Sequence, residues 1–540
     1  MKRYIKNIVP VAAAALMMGL SSCVGDLDNA ENPKDPNIST ENNIIGEYNK
    51  CYANLALPGN SGANGDSDLD GYDGGTAGFV RQLWNVNELP TDEAICGWGD
   101  AGIQEFVFNS YGSSHPMTAM FYFRLTNGIT YCNDYLVKAA DYDKTMTAEV
   151  RFVRALHYFY LMDTFGNIPF SETTLIKPKQ ISRKEAYDYI EKELLDIEPD
   201  LGAAKARVSS EAGYGRANKA AAWMLLARLY LNAEVYTGTP QWEKAAKYAK
   251  MVMDSDYKLN TTGSANGKWS AYQMLFMGDN GESSAAKEIV FPILADGITT
   301  TSYGGSFFVI ASTFDNKMHA DESNPNASNG TTGMWAGNRA RPDLLKKFFP
   351  NGDAPQVESY NMVKKAKDDR AIFWGKDRNL DNVTQSTFTD GYAVAKFLNF
   401  HSDGSATHDA QFPDMDYPLM RVAEAYLMYA EAEARLNGNV ATGEAAAAIN
   451  ALRARAHNAN LKGVYNLSDI CDEWSREFYF EGLRRTTLVR FGRFGGSNDY
   501  NWTWKGGDKE GRNFEATRNI YAIPLQEFSA NENLVQNPGY

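Results

Sequence analysis

In residues 214–238 the chain reads YGRANKAAAWMLLARLYLNAEVYTG, and the order Trp223-x2-Leu226-Ala227-x2-Tyr230 inside it decides which fold to expect. That order matches the first helix of a tetratricopeptide repeat, with alanine where glycine is usual. A small residue there lets a partner helix approach closely. The partner follows the break Thr237-Gly238-Thr239-Pro240, because residues 241–254 set Ala245 and Ala249 one turn apart.

Neighbouring segments share the helical period. Residues 149–165, EVRFVRALHYFYLMDTF, are apolar nearly all round and predict a helix buried on most sides. Within 183–201, Ala186, Ile190, Leu194, Ile197 and Leu201 form one apolar stripe. Later, Leu419, Val422, Ala423, Tyr426 and Ala430 line a face up to Gly438, and Ala445, Ile449, Leu452 and Ala456 line the next. Residues 472–490 predict a further helix. The expected fold is therefore all-α dominated: one domain over 46–540, a tetratricopeptide-like helical-repeat scaffold with helix pairs near 149–255 and 417–490. Gly-, Asn-, Ser- and Tyr-rich stretches near 57–115 and 260–415 carry turn signals instead. Loops this long are expected to bear the ligand site.

The amino terminus reads as an address. Lys2, Arg3 and Lys6 precede an apolar run at 8–20, too short to span a bilayer but right for a signal-peptide core. It ends in Leu20-Ser21-Ser22-Cys23, so residues 1–22 are expected to be removed and Cys23 to receive lipid. Residues 23–45 are polar, acidic and proline-punctuated, a flexible tether. The formal charge of −14 argues against a nucleic-acid partner, which needs Lys and Arg for its phosphates. Cys51, Cys96, Cys132 and Cys471 show no zinc spacing and are expected to be buried free thiols.

Motifs that promise chemistry fail in context. GWGDAG at 97–102 matches G-x-G-x-x-G, but TDEAIC before it does not read as a buried strand and no βαβ unit surrounds it. Asp66-x-Asp68-x-Asp70-Gly71 begins like an EF-hand loop, yet position 12 is Ala77 rather than glutamate. An acidic turn is the better reading, and a structural calcium outside the EF-hand class stays open at low weight; no other metal or cofactor is expected. His401 and His408 share a loop and read as solvated. No carboxylate pair stands out for glycoside hydrolysis.

Aromatic content does stand out, with 30 Tyr, 27 Phe and 10 Trp. Tyr72, Trp84, Trp98, Tyr303, Trp335, Trp502 and Trp504 lie in Gly- or Asn-rich surroundings, where the ordinary role is to cover a small cluster under a loop. Trp98, between Gly97 and Gly99, and Tyr303, followed by Gly304-Gly305, are expected instead to stay partly bare. A pyranose offers C–H faces to such rings and hydroxyl edges to polar side chains.

Several longer stretches carry a family resemblance: AEVRFVRALHYFYLMDTFGNIPF (148–170), residues 214–238, RVAEAYLMYAEAEA (421–434), REFYFEGLRRTTLVRFGRF (476–494) and the terminal QNPGY. With Cys23, these resemble the SusD/RagB family of Bacteroidetes outer-membrane lipoproteins. The resemblance implies a non-catalytic, surface-exposed glycan-binding protein, held in the outer membrane by its lipid and capping a SusC-type TonB-dependent transporter. GDSDLDGYDGGTAGFVRQLWNVNELPTDE (65–93), DGITTTSYGGS (296–306) and FTDGYAVAKFLNFHSDG (388–404) are similar to the family's starch-binding branch, which implies α-glucan: starch or maltooligosaccharides. Carried over by position, Trp98 and Tyr303 would form part of an aromatic arc, and Asp73 and Arg81 would bond glucose hydroxyls. Cys96 and Ala101 depart from that branch's tryptophan and asparagine, with Trp84, Asp100 or Gln104 as compensating candidates. The alternatives are a different glycan in the same role, a helical-repeat adaptor without sugar affinity, and a surface glycosidase.

Overall fold

Helix α1 (Glu41–Ala56) packs through Ile44, Tyr48, Cys51 and Leu55, which are buried at helical spacing. The structure, a computed structural model, describes residues 41–60, 62–175 and 177–540. The expected signal peptide, Cys23 and the tether as far as residue 40 lie outside the described residues. The tether was expected to reach residue 45, but α1 already occupies 41–45 because Ile44 joins the core.

Next come α2 (Phe79–Glu88), α3 (Pro116–Ala139) and α4 (Lys144–Phe165). Asp143 caps α4 by accepting the Met146 N–H, so the helix starts five residues before the apolar run at 149. Then α5 (Arg183–Ile197) opens on a capping box of Ser182 and Glu185, and its expected stripe is buried. Asn218 caps α6 (Lys219–Leu231), and α7 (Trp242–Asp254) returns along it. The second group is α8 (Val422–Leu436), α9 (Gly443–Arg455), α10 (Leu467–Phe478) and α11 (Arg484–Arg490).

The two groups are separated in sequence but continuous in space. α3 packs on α4, α4 on α5, α6 on α7, α7 on α8, and α8 on α9 and α10. Ala227, Ala245 and Ala249 are fully buried, as close helix approach requires. Three expectations need correction. Leu419 belongs not to α8 but to the strand Tyr417–Arg421, paired antiparallel with Ile289–Ile293. Residues 472–490 are two helices, because the N–H groups of Gly482 and Leu483 turn aside to Glu88 Oε1, at 2.6 and 3.2 Å. And the supposed loop region 57–115 contains α2.

The long stretch 260–415 is irregular but not loose. A four-stranded antiparallel sheet runs Ala94–Cys96, Asn338–Ala340, Ala393–Val394, Phe373–Trp374. Beneath it lies a buried charge network. Arg421 bonds Glu477 at 2.6 Å, Glu481 at 2.8 Å and Glu288 at 3.1 Å, and Arg370 bonds Asp368 and Glu473 at 2.7 and 2.8 Å. Arg455 joins Glu288 to Glu477. These groups come from α9, α10, a strand and the irregular stretch, so their pairing ties the loops to the helices. Cys51, Cys96, Cys132 and Cys471 are buried and free.

Burial alone would raise the Glu477 carboxyl, but the guanidinium groups of Arg455, Arg421 and Arg370 hold it down at about 2. A depressed carboxylate stabilises the fold fully above its ordinary value near 4.5, and that contribution is lost as the pH falls towards 2. Glu477→Ala removes the carboxylate shared by three buried arginines and should cost about 3–5 kcal/mol. Urea unfolding followed by circular dichroism at pH 7 reads this as a large drop in midpoint; an unchanged midpoint contradicts the network's role.

Candidate functional site

Buried Arg124 on α3 shapes the loop before α2. Its guanidinium bonds Asp68 at 2.7 Å, the Pro58 carbonyl at 3.2 Å and the Ala77 carbonyl at 3.0 Å, so one side chain gathers both ends and the middle of residues 58–77. Asp68 is thereby committed to an ion pair, and among the described residues no group of three or more His, Cys, Asp or Glu is gathered to hold a metal. The loop then touches the segment around residue 304 backbone to backbone. A Cβ on Gly78 would stand 2.7 Å from the Gly304 carbonyl oxygen, and one on Gly304 would stand 2.8 Å from that of Gly75. The Arg81 N–H, at the start of α2, donates to the Gly304 carbonyl at 3.0 Å. Gly304 and Gly305 are buried, so they do not serve to bare Tyr303 as expected; Gly304 permits this contact, which sets Tyr303 in place.

The strand Ala94–Cys96 is a correction in its own right, since TDEAIC did not read as a buried strand and all three residues are buried. A five-residue helix, Ile103–Val107, follows GWGDAG, but the strand pairs antiparallel and belongs to no βαβ unit. The ladder matters more than the motif. Cys96 pairs with Asn338, and the Gly97 N–H continues it to the Gly337 carbonyl at 3.0 Å. This brings Trp98 and Trp335 to the same end of two adjacent strands, where the Trp98 indole N–H donates to the Trp335 carbonyl at 2.9 Å. A Cβ on Gly337 would fall 2.1 Å from Trp98 Cε2, so Gly337 seats the ring. Of the flanking glycines only Gly99 faces open space; Gly97 packs near Ser386.

The result is a cavity of about 540 Å³ whose wall includes all four expected residues, Trp98, Tyr303, Asp73 and Arg81, together with Asn64, Asp100 and Trp335. Trp98, Trp335 and Tyr303 are each partly exposed. Trp98 and Trp335 have centroids 6.2 Å apart with planes at 61°; Trp335 and Tyr303 are 6.4 Å apart at 41°. The rings form a turned series rather than a flat shelf, with Trp335 in the middle. Sequence reasoning had placed Trp335 among ordinary covering rings. Its glycine neighbours, Gly333 and Gly337, were a signal of the same kind as those of Trp98.

The polar groups are equally fixed. The Tyr303 hydroxyl donates to Asn64 Oδ1 at 3.2 Å and accepts from Gln411 Nε2 at 2.8 Å. Asp73 accepts the N–H and hydroxyl of Thr76 on one oxygen, both at 2.8 Å. Arg81 is nearly buried, lies 5.6 Å from the Trp98 ring centre, gives one N–H to the Gly75 carbonyl at 3.2 Å and has no protein partner for Nε. Burial lowers its pKa, against the opposing pull of Asp100 and Asp73. Cys96 points into the core, where burial pushes its thiol up to about 12, so position 96 presents no stacking surface. Of the three compensating candidates only Asp100 lines the cavity. Trp84 is buried, edge-on to Phe308 and Phe480, and Gln104 is exposed outside the lining. His401 and His408 are not simply solvated; both ring nitrogens lie 3.1 Å from Asp414 Oδ2.

The family model described as "SusD family" matches residues 264–540, and a second, described as "Starch-binding associating with outer membrane", matches 115–231. The chain is similar to the starch-binding protein SusD of Bacteroides thetaiotaomicron, at 39% identity over 577 aligned positions covering 100% of this chain and 99% of that one. Among solved structures, a SusD-like protein from Bacteroides fragilis superposes with a TM-score of 0.67 at 19% identity, covering 94% of this chain and 98% of the other. Surface glycan-binding protein A from Bacteroides thetaiotaomicron, in complex with laminarihexaose, gives 0.64 at 17%, covering 92% and 100%.

Because Gly304 meets backbone, no side chain can yield to a methyl group there. Gly304→Ala should cost about 1–3 kcal/mol. Thermal unfolding checks this as a lowered midpoint, whereas Gly99→Ala, which points into open space, should leave the midpoint unchanged.

Proposed function

The chain belongs to the SusD family, and from that premise we propose that it captures α-glucan, as starch or maltooligosaccharide, at the cavity of Trp98, Trp335 and Tyr303. The observation that carries this reading is the turn between successive rings, 61° and then 41°. An α-linked glucan curves along its length, so consecutive glucose units present their C–H faces at changing angles, and a turned series of rings meets them where a flat one would not. The Arg81 guanidinium, which lines the cavity and spends one N–H on the Gly75 carbonyl, and the second oxygen of Asp73 are set to pair with hydroxyls at the sugar edge.

Members of this family are binding proteins rather than enzymes; they bind oligosaccharides, work with SusC-type transporters and associate with the outer membrane. For this chain the proposal extends to attachment through lipid on Cys23 and to delivery of the glucan into a TonB-dependent transporter. An open site with three partly exposed rings supports weak binding, about −4 to −6 kcal/mol, or roughly millimolar to tens of micromolar. Weak capture suits a protein that must pass its ligand on.

Isothermal titration with maltoheptaose tests the assignment. Trp98→Ala and Trp335→Ala should each weaken binding at least about tenfold, near 1.4 kcal/mol. Incubation with amylose should yield no new reducing ends. Parent-like affinity in both variants contradicts the site, and new reducing ends contradict the non-catalytic role.

A further inference from the structure

The loop that walls the first cavity also walls a second. Asp73 and Gly75 face the first, while Asp70 and Tyr72 line a separate open cleft of about 630 Å³ against the outer face of α3. Tyr72 and Phe123 are both partly exposed, with ring centroids 6.0 Å apart and planes only 35° apart, which makes a shallow aromatic shelf. The Tyr72 hydroxyl is held by Gln526 Nε2 at 2.7 Å, so the ring has a fixed direction.

Apart from the Tyr72 hydroxyl, which accepts from Gln526 and keeps its own proton to give, the groups around the shelf have acceptors to spare and few donors. The Thr130 hydroxyl spends its proton on the Thr126 carbonyl at 3.0 Å. Asn127 gives its amide protons to Asp68 and to the Tyr131 hydroxyl, at 3.2 and 3.1 Å, leaving its oxygen. Asp70 is exposed and accepts no hydrogen bond among the described residues. A ligand here must bring donors and an apolar face and must not be anionic. Neutral sugars meet all three requirements, whereas a uronate or sulfated sugar would face the Asp70 carboxylate.

We propose that the Tyr72–Phe123 cleft is a second binding site for neutral oligosaccharide. Tyr72 and Asp73 are adjacent in the chain, so the two sites share a wall and one polysaccharide can engage both, with a gain in retention that short ligands do not show. The sugar class follows from the cleft's own groups; only the choice of amylopectin as first probe rests on the proposed function.

Affinity electrophoresis of the protein in gels containing amylopectin, laminarin or galactomannan tests this. Tyr72→Ala removes the shelf, and Thr130→Arg fills the cleft from an exposed helix position without touching the loop. Each should reduce retardation about threefold or more while leaving maltotriose affinity at the first site unchanged. Trp98→Ala should keep a residual retardation that the Trp98→Ala, Thr130→Arg double variant loses. If amylopectin fails to retard the parent but another polymer does, the α-glucan reading falls, and the cleft stands or falls on the same variants in that gel. Migration of both single variants with the parent in every gel overturns the second site.

Discussion

At Gly78 and Gly304 two polypeptide backbones approach more closely than any side chain would allow, and the positions of Tyr303 and Arg81 in the principal cavity follow from that contact. Arg124 draws the loop at 58–77 together, and the Gly304 carbonyl receives the Arg81 N–H from the first turn of α2. Tyr303 is thereby fixed beside Asn64, and Arg81 beneath Trp98. A second close approach, of the Trp98 indole to Gly337, completes the series. The site is made almost wholly of irregular chain, and its order comes from glycine where segments touch and from arginine where carbonyls converge.

Such loops hold their shape only on a rigid support. The helices supply it, and the charge network around Arg421 and Glu477 transmits it. Removing those charges from water is costly, and each carboxylate is repaid only when two or more guanidinium groups reach it in the right geometry. That demand fixes the relative positions of α9, α10, the strand Tyr417–Arg421 and the irregular stretch that bears Trp335. In this sense the interior of the scaffold specifies the outline of the binding surface.

What the sequence made legible was local. The stripes of α5, α6 and α7 repeat every three or four residues and need no knowledge of distant partners. α2 was hidden because Arg81, Gln82, Asn85, Asn87 and Glu88 are all buried, which erases any contrast between polar and apolar faces. The break between α10 and α11 depends on Glu88, nearly four hundred residues away, and the strand Ala94–Cys96 is only three residues long with its partner at 338–340. Of the cavity, Trp98 and Tyr303 were named from their glycine neighbours and Asp73 and Arg81 from resemblance, and the structure brings all four to one wall. Trp335 carried the same glycine signal in Gly333 and Gly337, but its place beside Trp98 arises from strand pairing across 237 residues.

The central claim is that glucan completes the packing of rings that the protein leaves partly bare. A crystal structure of the protein soaked with maltoheptaose tests it most directly. The account predicts glucose units in van der Waals contact with Trp98, Trp335 and Tyr303 in succession, and a sugar hydroxyl on Arg81 or Asp73. Sugar bound elsewhere while that cavity stays free of it, or side chains closing over the three rings, would contradict it.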